Sequence, residues 1–219
     1  YYASRGLGDV YKRQEVYRLY RPFYKKNINM DVIPSDSDFD KYKVLLLPVM
    51  IVHKKEVQDK VRKFVSGGGT VVFTYRTAVK DYYNNLTLGQ FNPTYYTDLV
   101  GGYVEEVESF QDDQVAFLIG NEEFEGINGT ATVFRDMLKT TTAKTLFKYE
   151  DEFFEDLAAV TLNEYEGGKV YYIGSGADNT IMDAITNKII NESNLDAIES
   201  EEGVEVVRRS LNNEDYYFV

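Results

Sequence analysis

The sequence predicts an α/β protein in which a largely parallel sheet is flanked by helices. The run KVLLLPVMI at 43–51 is almost entirely apolar and has the length of a strand covered on both faces. The β-branched run TVVFTY at 70–75 predicts a second strand. Apolar residues at amphipathic spacing predict a helix between them, namely Val57, Val61, Phe64 and Val65. A helix that joins two buried strands is typical of a parallel α/β sheet.

The region before this unit predicts one helix and one short strand. The stretch EVYRLYRPFYKKNI predicts a helix from Glu15 that is interrupted or kinked at Pro22. Its apolar face is predicted to hold Val16, Leu19, Phe23 and Tyr24. MDVIP at 30–34 predicts a short strand, and GGG at 67–69 ends the later helix.

The middle of the chain predicts a succession of strands. These are YVEEVESF, QVAFLI, TATVF and KTLFKY, followed by a hairpin over 158–174 that turns at Glu166-Gly167-Gly168. Asp178 or Asn179 then caps a helix. The apolar stripe of that helix is predicted to be Ile181, Met182, Ile185, Ile189 and Ile190.

The last residues predict a linker and a hairpin. The acidic stretch DAIESEEG separates the helix from VEVVRRS and DYYFV, which predict two paired strands. Because a lone hairpin is marginally stable, we expect it to be the truncated start of a further domain.

Composition excludes several function classes. The net charge of −12 disfavours a phosphate backbone, so we expect no nucleic-acid partner. The absence of cysteine removes thiolate metal sites and a cysteine nucleophile, and it fits a cytoplasmic location. No apolar run reaches the roughly 18 residues that cross a bilayer, so we expect no membrane partner.

No catalytic, cofactor or metal residue is predicted. The single histidine, His53, favours a structural or surface role, because one histidine does not make a histidine-cluster metal site. The GSG turn at 174–176 precedes a helix N-terminus, but Asp178 beside it argues against an anion site.

The most suggestive segment is TYRTAVKDYYNN at 74–85. It leaves the carboxyl end of a buried strand, where open α/β sheets bind ligands and partners. Tyr75, Arg76, Lys80 and Asp81 are therefore candidates for a subunit interface or the rim of an active site. A plain surface loop fits the residues equally well.

Several motifs in their order resemble one family. YRPFYKKNINMDVIPSDSDFDKYKVLLLPVMIV, VRKFVSGGGTVVFTYRTAVKD and LNEYEGGKVYYIG are similar to the middle domain of family 42 glycoside hydrolases, the bacterial β-galactosidases. The resemblance covers roughly residues 17–195, and VEVVRR resembles the opening of their small C-terminal β domain.

The resemblance implies a fold and a role. It implies a flavodoxin-like three-layer sandwich similar to class I glutamine amidotransferases, without their nucleophile, that serves trimerisation. It also implies that hydrolysis of terminal β-galactosides belongs to two glutamates of a preceding barrel, held about 5 Å apart. A barrel of roughly 250 residues does not fit in this chain. The galactoside substrate would therefore bind only to that missing domain, and the partner of this chain would be a second copy of itself.

Two glutamates imitate the acid/base motif of that barrel. Glu164 lies in LNEY and Glu122 lies in GNEEF. We assign neither to catalysis, because the middle domain of the family has its own NEY before the GKVYYIG strand.

The resemblance divides the chain into four parts. Residues 1–14 are expected to be non-native, since 4–14 (SRGLGDVYKRQ) resemble a translated sequencing adapter, and to be poorly packed or an unsupported extension of the first helix. Residues 15–195 are the expected trimerisation domain, 196–203 a linker, and 204–219 the start of the C-terminal domain. Tyrosines at 82–83 and 95–96 are expected at the trimer contact. The alternative is a free-standing α/β binding or regulatory module.

Overall fold

A computed structural model of the chain describes residues 7–111, 113–201, 203–212 and 214–219. The helices are α1 Leu7–Tyr24, α2 Lys55–Ser66, α3 Thr97–Val100 and α4 Asn179–Glu192. The first strands are β1 Val44–Leu47, β2 Thr70–Thr74, β3 Gly102–Ser109, β4 Ala116–Gly120, β5 Asn128–Thr140 and β6 Lys144–Tyr149. The others are β7 Ala158–Tyr165, β8 Gly168–Ile173, β9 Ser175–Ala177, β10 Val207–Leu211 and β11 Glu214–Phe218.

One large sheet runs in the order β1-β2-β8-β7-β6-β4-β5-β3, with β9 paired to β5. Only β1–β2 and β2–β8 pair in parallel, and the other pairs within the described residues are antiparallel. The expectation of a largely parallel sheet is therefore wrong. The physical reason is the length of the connections, because the short connections from β4 to β5 and from β7 to β8 permit only antiparallel neighbours.

Strand β2 separates two hydrophobic clusters. Its Val71 and Phe73 pack in a cluster with α2 and α3. Its Val72 packs on the other face with α1 and α4. Since successive side chains of a strand point to opposite faces, this part of the sheet is covered by helices on both sides. Strand β2 is accordingly buried along its whole length.

The helix α2 and the hairpin β7–β8 form as predicted. The predicted apolar residues of α2 are all buried. In the hairpin, Tyr165 pairs with Gly168 across the turn residues Glu166 and Gly167, which both have positive φ. A Cβ on Gly168 would lie 2.1 Å from the carbonyl oxygen of Val65 at the end of α2. Glycine is thus required where the hairpin touches this helix.

Helix α4 also matches its prediction. Asp178 is the N-cap, and its side chain accepts a hydrogen bond from the backbone of Ile181 at 3.1 Å. The predicted apolar stripe is buried against the sheet.

Helix α1 differs from its prediction in two ways. It begins at Leu7 rather than Glu15, and it continues through Pro22 to Tyr24. Among residues 11–24 its buried residues are Glu15, Leu19, Pro22 and Phe23, whereas Val16 and Tyr24 are exposed. The spacing i, i+4, i+8 therefore sets the buried face. The residues 12–14 are exposed, and residues 1–6 of the predicted non-native segment lie outside the described residues.

The remaining differences concern the first strands. MDVIP at 30–34 does not form a strand. Strand β1 ends at Leu47, because Pro48 lacks an N–H group and Val49 has a left-handed backbone with φ of 45°. The predicted C-terminal hairpin is present as the antiparallel pair β10–β11. None of the helices in the described ranges combines the length and the apolar character needed to cross a membrane.

Candidate assembly surface

The loop that follows β2 lies at the carboxyl end of the parallel strands and is held in an uncommon conformation. Arg76 and Ala78 have φ of 61° and 51°. The backbone N–H of Arg76 donates to the carboxylate of Asp136 at 2.7 Å. The N–H of Ala78 donates to the carbonyl of Met50 at 2.9 Å. Left-handed residues other than glycine persist only when their surroundings fix them, so these contacts define the path of the loop.

The predicted residues of this loop separate into an inner and an outer pair. Tyr75 is buried and its ring stacks parallel to that of Phe134, with 6.1 Å between the centroids. The guanidinium of Arg76 lies 5.0 Å from the centroid of the same Phe134 ring. Lys80 donates to Asn84 at 3.0 Å, and Asp81 accepts from the backbone of Asn85 at 2.8 Å. The structure thus brings Tyr75 and Arg76 together and places Lys80 and Asp81 in the outer turn.

Asp136 on β5 is the buried anchor of the loop. Its carboxylate also accepts from the hydroxyl of Tyr172 at 2.7 Å, while Tyr149 donates to its backbone carbonyl at 3.2 Å. Burial raises the pKa of Asp136 to about 6, and the N–H of Arg76 opposes this rise. Our reading of the sequence missed this residue. The signal was the charged pair Arg135-Asp136 between the apolar pairs Val133-Phe134 and Met137-Leu138.

Glu15 is a second buried carboxylate beneath the loop. It forms an ion pair with Arg18 and lies next to the hydroxyl of Tyr75. Desolvation outweighs the attraction of Arg18 and raises the pKa of Glu15 to about 7. Glu15 lies four residues before the buried Leu19 and so on the same face of the helix, which was the signal in the sequence for the burial of Glu15.

The outer part of the loop exposes apolar side chains. Tyr83 is 81% exposed and Leu88 is 86% exposed. The rest of this set is Tyr82, Leu86 and Phe91, all of them exposed. Contiguous exposed apolar residues mark interaction sites on protein surfaces. This segment is therefore the described feature best suited to a protein contact.

The expectation that Tyr96 is a surface residue at the trimer contact is wrong. Tyr96 is fully buried, so it does not lie at a surface contact. Its hydroxyl is 2.6 Å from Nδ1 of His53, which is also buried. Burial lowers the pKa of His53 to about 4. Of the two roles open to His53, the structure shows the structural one.

The glutamates that imitate a catalytic motif lie on separate elements. Glu122 is exposed in the 3-10 turn Glu122–Phe124, and Glu164 is exposed near the end of β7. Within the residues that the structure describes, no group of three His, Cys, Asp or Glu residues is placed to hold a metal ion. At the start of α4, Asp178 already occupies the helix N-terminus and also accepts from the backbone N–H of Thr130 at 2.7 Å. An anion would be repelled there.

The family model for the β-galactosidase trimerisation domain matches residues 4–196. The chain belongs to this family. The match begins within residues 1–14, and the non-native origin of those residues stays a prediction.

Curated relatives of this trimerisation domain are β-galactosidases. GalA of Bacillus licheniformis is 30% identical over 224 residues, which cover 99% of this chain and 32% of GalA. BgaP of Planococcus sp. is 26% identical over 208 residues, which cover 94% of this chain and 31% of BgaP. The chain therefore spans about a third of the length of these relatives.

Solved structures share the fold of the trimerisation domain. The β-galactosidase from Bacillus circulans sp. alkalophilus superposes with a TM-score of 0.88 at 26% identity, over 94% of this chain and 31% of that chain. A family GH42 β-galactosidase from G. stearothermophilus superposes with a TM-score of 0.87 at 26% identity, over 98% of this chain and 31% of that chain. The α/β fold with its strand-rich sheet is thus shared with GH42 β-galactosidases.

Proposed function

We propose that this chain is the subunit-assembly module of a β-galactosidase and that it associates with copies of itself into a trimer. The observation that carries the proposal is the loop over 75–91, whose outer half exposes tyrosine and leucine side chains while its inner half is fixed on Asp136. Aromatic residues on a rigid support are suited to an interface, because little conformational entropy is lost on binding. The name of the matched family supports the oligomeric state.

The catalytic step of the parent enzyme is proposed to lie outside this chain. The parent would hydrolyse terminal β-galactosides with retention, using two carboxyl groups about 5 Å apart. Neither Glu122 nor Glu164 is proposed as one of them, since they lie on separate elements.

The first experiment measures the mass of the full chain by size-exclusion chromatography with light scattering, between 1 μM and 1 mM. We expect a concentration-dependent trimer and no hydrolysis of a chromogenic galactoside. A strict monomer at 1 mM would contradict self-assembly, and clear turnover would contradict the assignment of catalysis to another domain.

A matched pair of variants tests the loop itself. Replacing Tyr83 and Leu88 by serine removes two exposed apolar side chains and should raise the trimer dissociation constant at least tenfold. Val32→Ser is the control, because Val32 is 87% exposed but lies in the connection between α1 and β1. Equal association of both variants would contradict a contact through the loop.

A free-standing binding module is the second function that the sequence left open. It requires a pocket with converging polar groups. Two clefts of about 460 and 450 Å³ lie within the described residues, and both are open to solvent. Neither is lined by Arg76, Asp136 or Glu15. We therefore favour assembly.

Two finer statements are also proposals. We infer that the parallel strands β1, β2 and β8 correspond to the three-layer core of class I glutamine amidotransferases, which is supported by helices on both faces of β2. The complete absence of cysteine supports a location in the cytoplasm.

A further inference from the structure

The connection between β6 and β7 presents one aromatic side chain to solvent. Phe153 is 90% exposed, the highest value among the phenylalanines with large exposed side chains. The neighbouring residues Glu150, Glu152, Glu155 and Asp156 are exposed carboxylates. We call residues 150–156 the Phe153 loop.

The Phe153 loop is held from both sides of its exposed residue. Asp151 accepts from the backbone N–H of Phe153 at 3.0 Å, and the N–H of Leu157 donates to the carbonyl of Phe154 at 2.9 Å. Leu157 is buried, and Phe154 packs against the core cluster that contains it. The exposed phenylalanine is therefore presented by a segment with fixed flanks.

Arg135 on β5 anchors this arrangement. Its guanidinium donates to Asp151 at 3.0 Å and to Glu108 at 2.5 Å. The same group lies 5.1 Å from the ring centroid of Phe154 and 5.5 Å from that of Tyr149. Arg135 is only 8% exposed, so its guanidinium is largely shielded from water, although the carboxylate of Glu108 is itself exposed. The loop is thus fixed to β5.

Arg135 and Asp136 connect the two exposed segments. They are consecutive residues of β5, and their side chains point to opposite faces of the strand. Arg135 fixes the Phe153 loop, and Asp136 fixes the loop after β2. One strand therefore fixes the position of the two segments relative to each other. A contact between different patches of neighbouring copies needs such a fixed arrangement.

The charges on the two segments are complementary. Among the described residues, Glu150, Glu152, Glu155 and Asp156 form no salt bridge, and neither do Lys54 and Lys80. The Lys54 ammonium lies 5.4 Å from the centroid of the Tyr82 ring, and Lys80 forms a β-bridge with Leu86. We call Lys54, Lys80, Tyr82, Tyr83 and Leu86 the Tyr82 patch. It combines apolar surface with free positive charge, whereas the Phe153 loop combines an apolar side chain with free negative charge.

We propose that the Phe153 loop of one copy of this chain docks on the Tyr82 patch of the next copy. The inference rests on the proposed assembly function and names the surfaces that it uses. Phe153 would insert between the exposed apolar residues of the patch, while the carboxylates around it pair with Lys54 and Lys80. Because the two surfaces differ, the contact is head-to-tail, and such a contact gives a closed trimer when the rotation between neighbouring copies is a third of a turn.

Engineered cysteines test this pairing directly, since the chain has no cysteine of its own. Chains carrying Phe153→Cys are mixed with chains carrying Tyr83→Cys and are oxidised under mild conditions. We expect a disulfide-linked heterodimer on a non-reducing gel, with the 153–83 linkage confirmed by peptide mass spectrometry. Mixing Phe153→Cys with Val32→Cys is the matched control and should give at least tenfold less linked product.

The outcomes separate this inference from the proposed function. If light scattering shows a trimer but only 153–153 linkage or no linkage forms, the head-to-tail pairing is wrong and the assembly function stands. If the chain is a monomer at 1 mM, both are overturned.

A charge exchange gives an independent readout. Glu152→Lys should weaken association about tenfold, and adding Lys54→Glu should restore it. Additive weakening in the double variant would overturn the proposed pairing. Far-UV circular dichroism controls for folding, and all of the substituted side chains are exposed.

Discussion

Replacement of Asp136 by asparagine should change how the stability of the domain depends on pH. The carboxylate is fully buried, and burial raises its pKa from 3.8 to about 6. A group with a raised acid pKa holds its proton longer in the folded state than in the unfolded state. Its contribution to stability is therefore present at low pH and is lost as the pH rises through about 6.

The size of the effect follows from the pKa change. Since a tenfold change in proton affinity is worth about 1.4 kcal/mol, the rise of Asp136 from 3.8 to about 6 corresponds to about 3 kcal/mol between pH 4 and 7. Asparagine keeps an acceptor for the N–H of Arg76 and the hydroxyl of Tyr172 but cannot ionise. The variant should therefore gain about 3 kcal/mol relative to the parent over that range.

The comparison must be made between variant and parent, because other groups titrate in the same range. Glu15, whose pKa is raised to about 7, also lowers stability as the pH rises. His53, whose pKa is lowered to about 4, has the opposite effect, since its unfolded form binds the proton first. These contributions cancel in the difference between the two proteins.

Urea unfolding followed by circular dichroism at pH 4.0, 5.5 and 7.0 measures this difference. Asp156→Asn is the control for the loss of one carboxylate, because Asp156 is exposed. A difference between Asp136→Asn and the parent that stays constant within about 1 kcal/mol across the range would refute the reasoning.

Three further perturbations test other parts of the fold. Gly168→Ala places a Cβ 2.1 Å from a backbone oxygen and should cost about 3 kcal/mol of unfolding free energy in thermal melts. Gly67→Ala, where the nearest atom is 3.3 Å away, should cost less than about 1 kcal/mol. Arg135→Met leaves Asp151 and Glu108 without their cation and should lower the free energy of unfolding by about 3 kcal/mol. Proteolysis within residues 150–156 should also become faster. Equal cleavage rates in the variant and the parent would contradict the anchoring of this loop by Arg135. Glu192→Gln removes the shared partner of Lys169 and Lys188 and should cost about 1 kcal/mol at pH 7, a value reduced for solvent screening. Because the pKa of Glu192 is lowered to about 2, its contribution to stability is lost as the pH falls toward 2. The unfolding free energies of the variant and the parent, measured by urea unfolding, should therefore become nearly equal at pH 2.

Local signals in the sequence were sufficient for part of the fold. Helix α2 follows from the spacing of its apolar residues, and the β7–β8 turn follows from Glu166-Gly167 between two runs of strand length. Asp178 marks the start of α4 because a short acidic side chain satisfies free N–H groups there. In each case the determining contacts lie within a few residues of one another.

The pairing of strands that are far apart in the sequence could not be predicted from local signals. Strand β5 pairs with β3, β4, β7 and β9. It carries a left-handed residue, Val133, at an irregularity in its pairing with β9. The apolar pattern of a strand identifies its buried face but not its neighbour. The parallel direction that is correct for β1, β2 and β8 was therefore extended wrongly to the rest of the sheet.

The part of the sheet that was wrongly predicted holds the candidate surface in place and adds the Phe153 loop beside it. Strand β5 supplies Asp136 to the loop after β2, and the antiparallel β6–β7 connection supplies Phe153. In a purely parallel sheet, each loop at this edge would be followed by a helix that returns to the other edge. Antiparallel strands instead bring the end of β6 and the start of β7 to the same edge as the end of β8. The parallel first strands and the antiparallel remainder together place two different loops at one edge. Two different surfaces are what a head-to-tail contact between identical subunits uses.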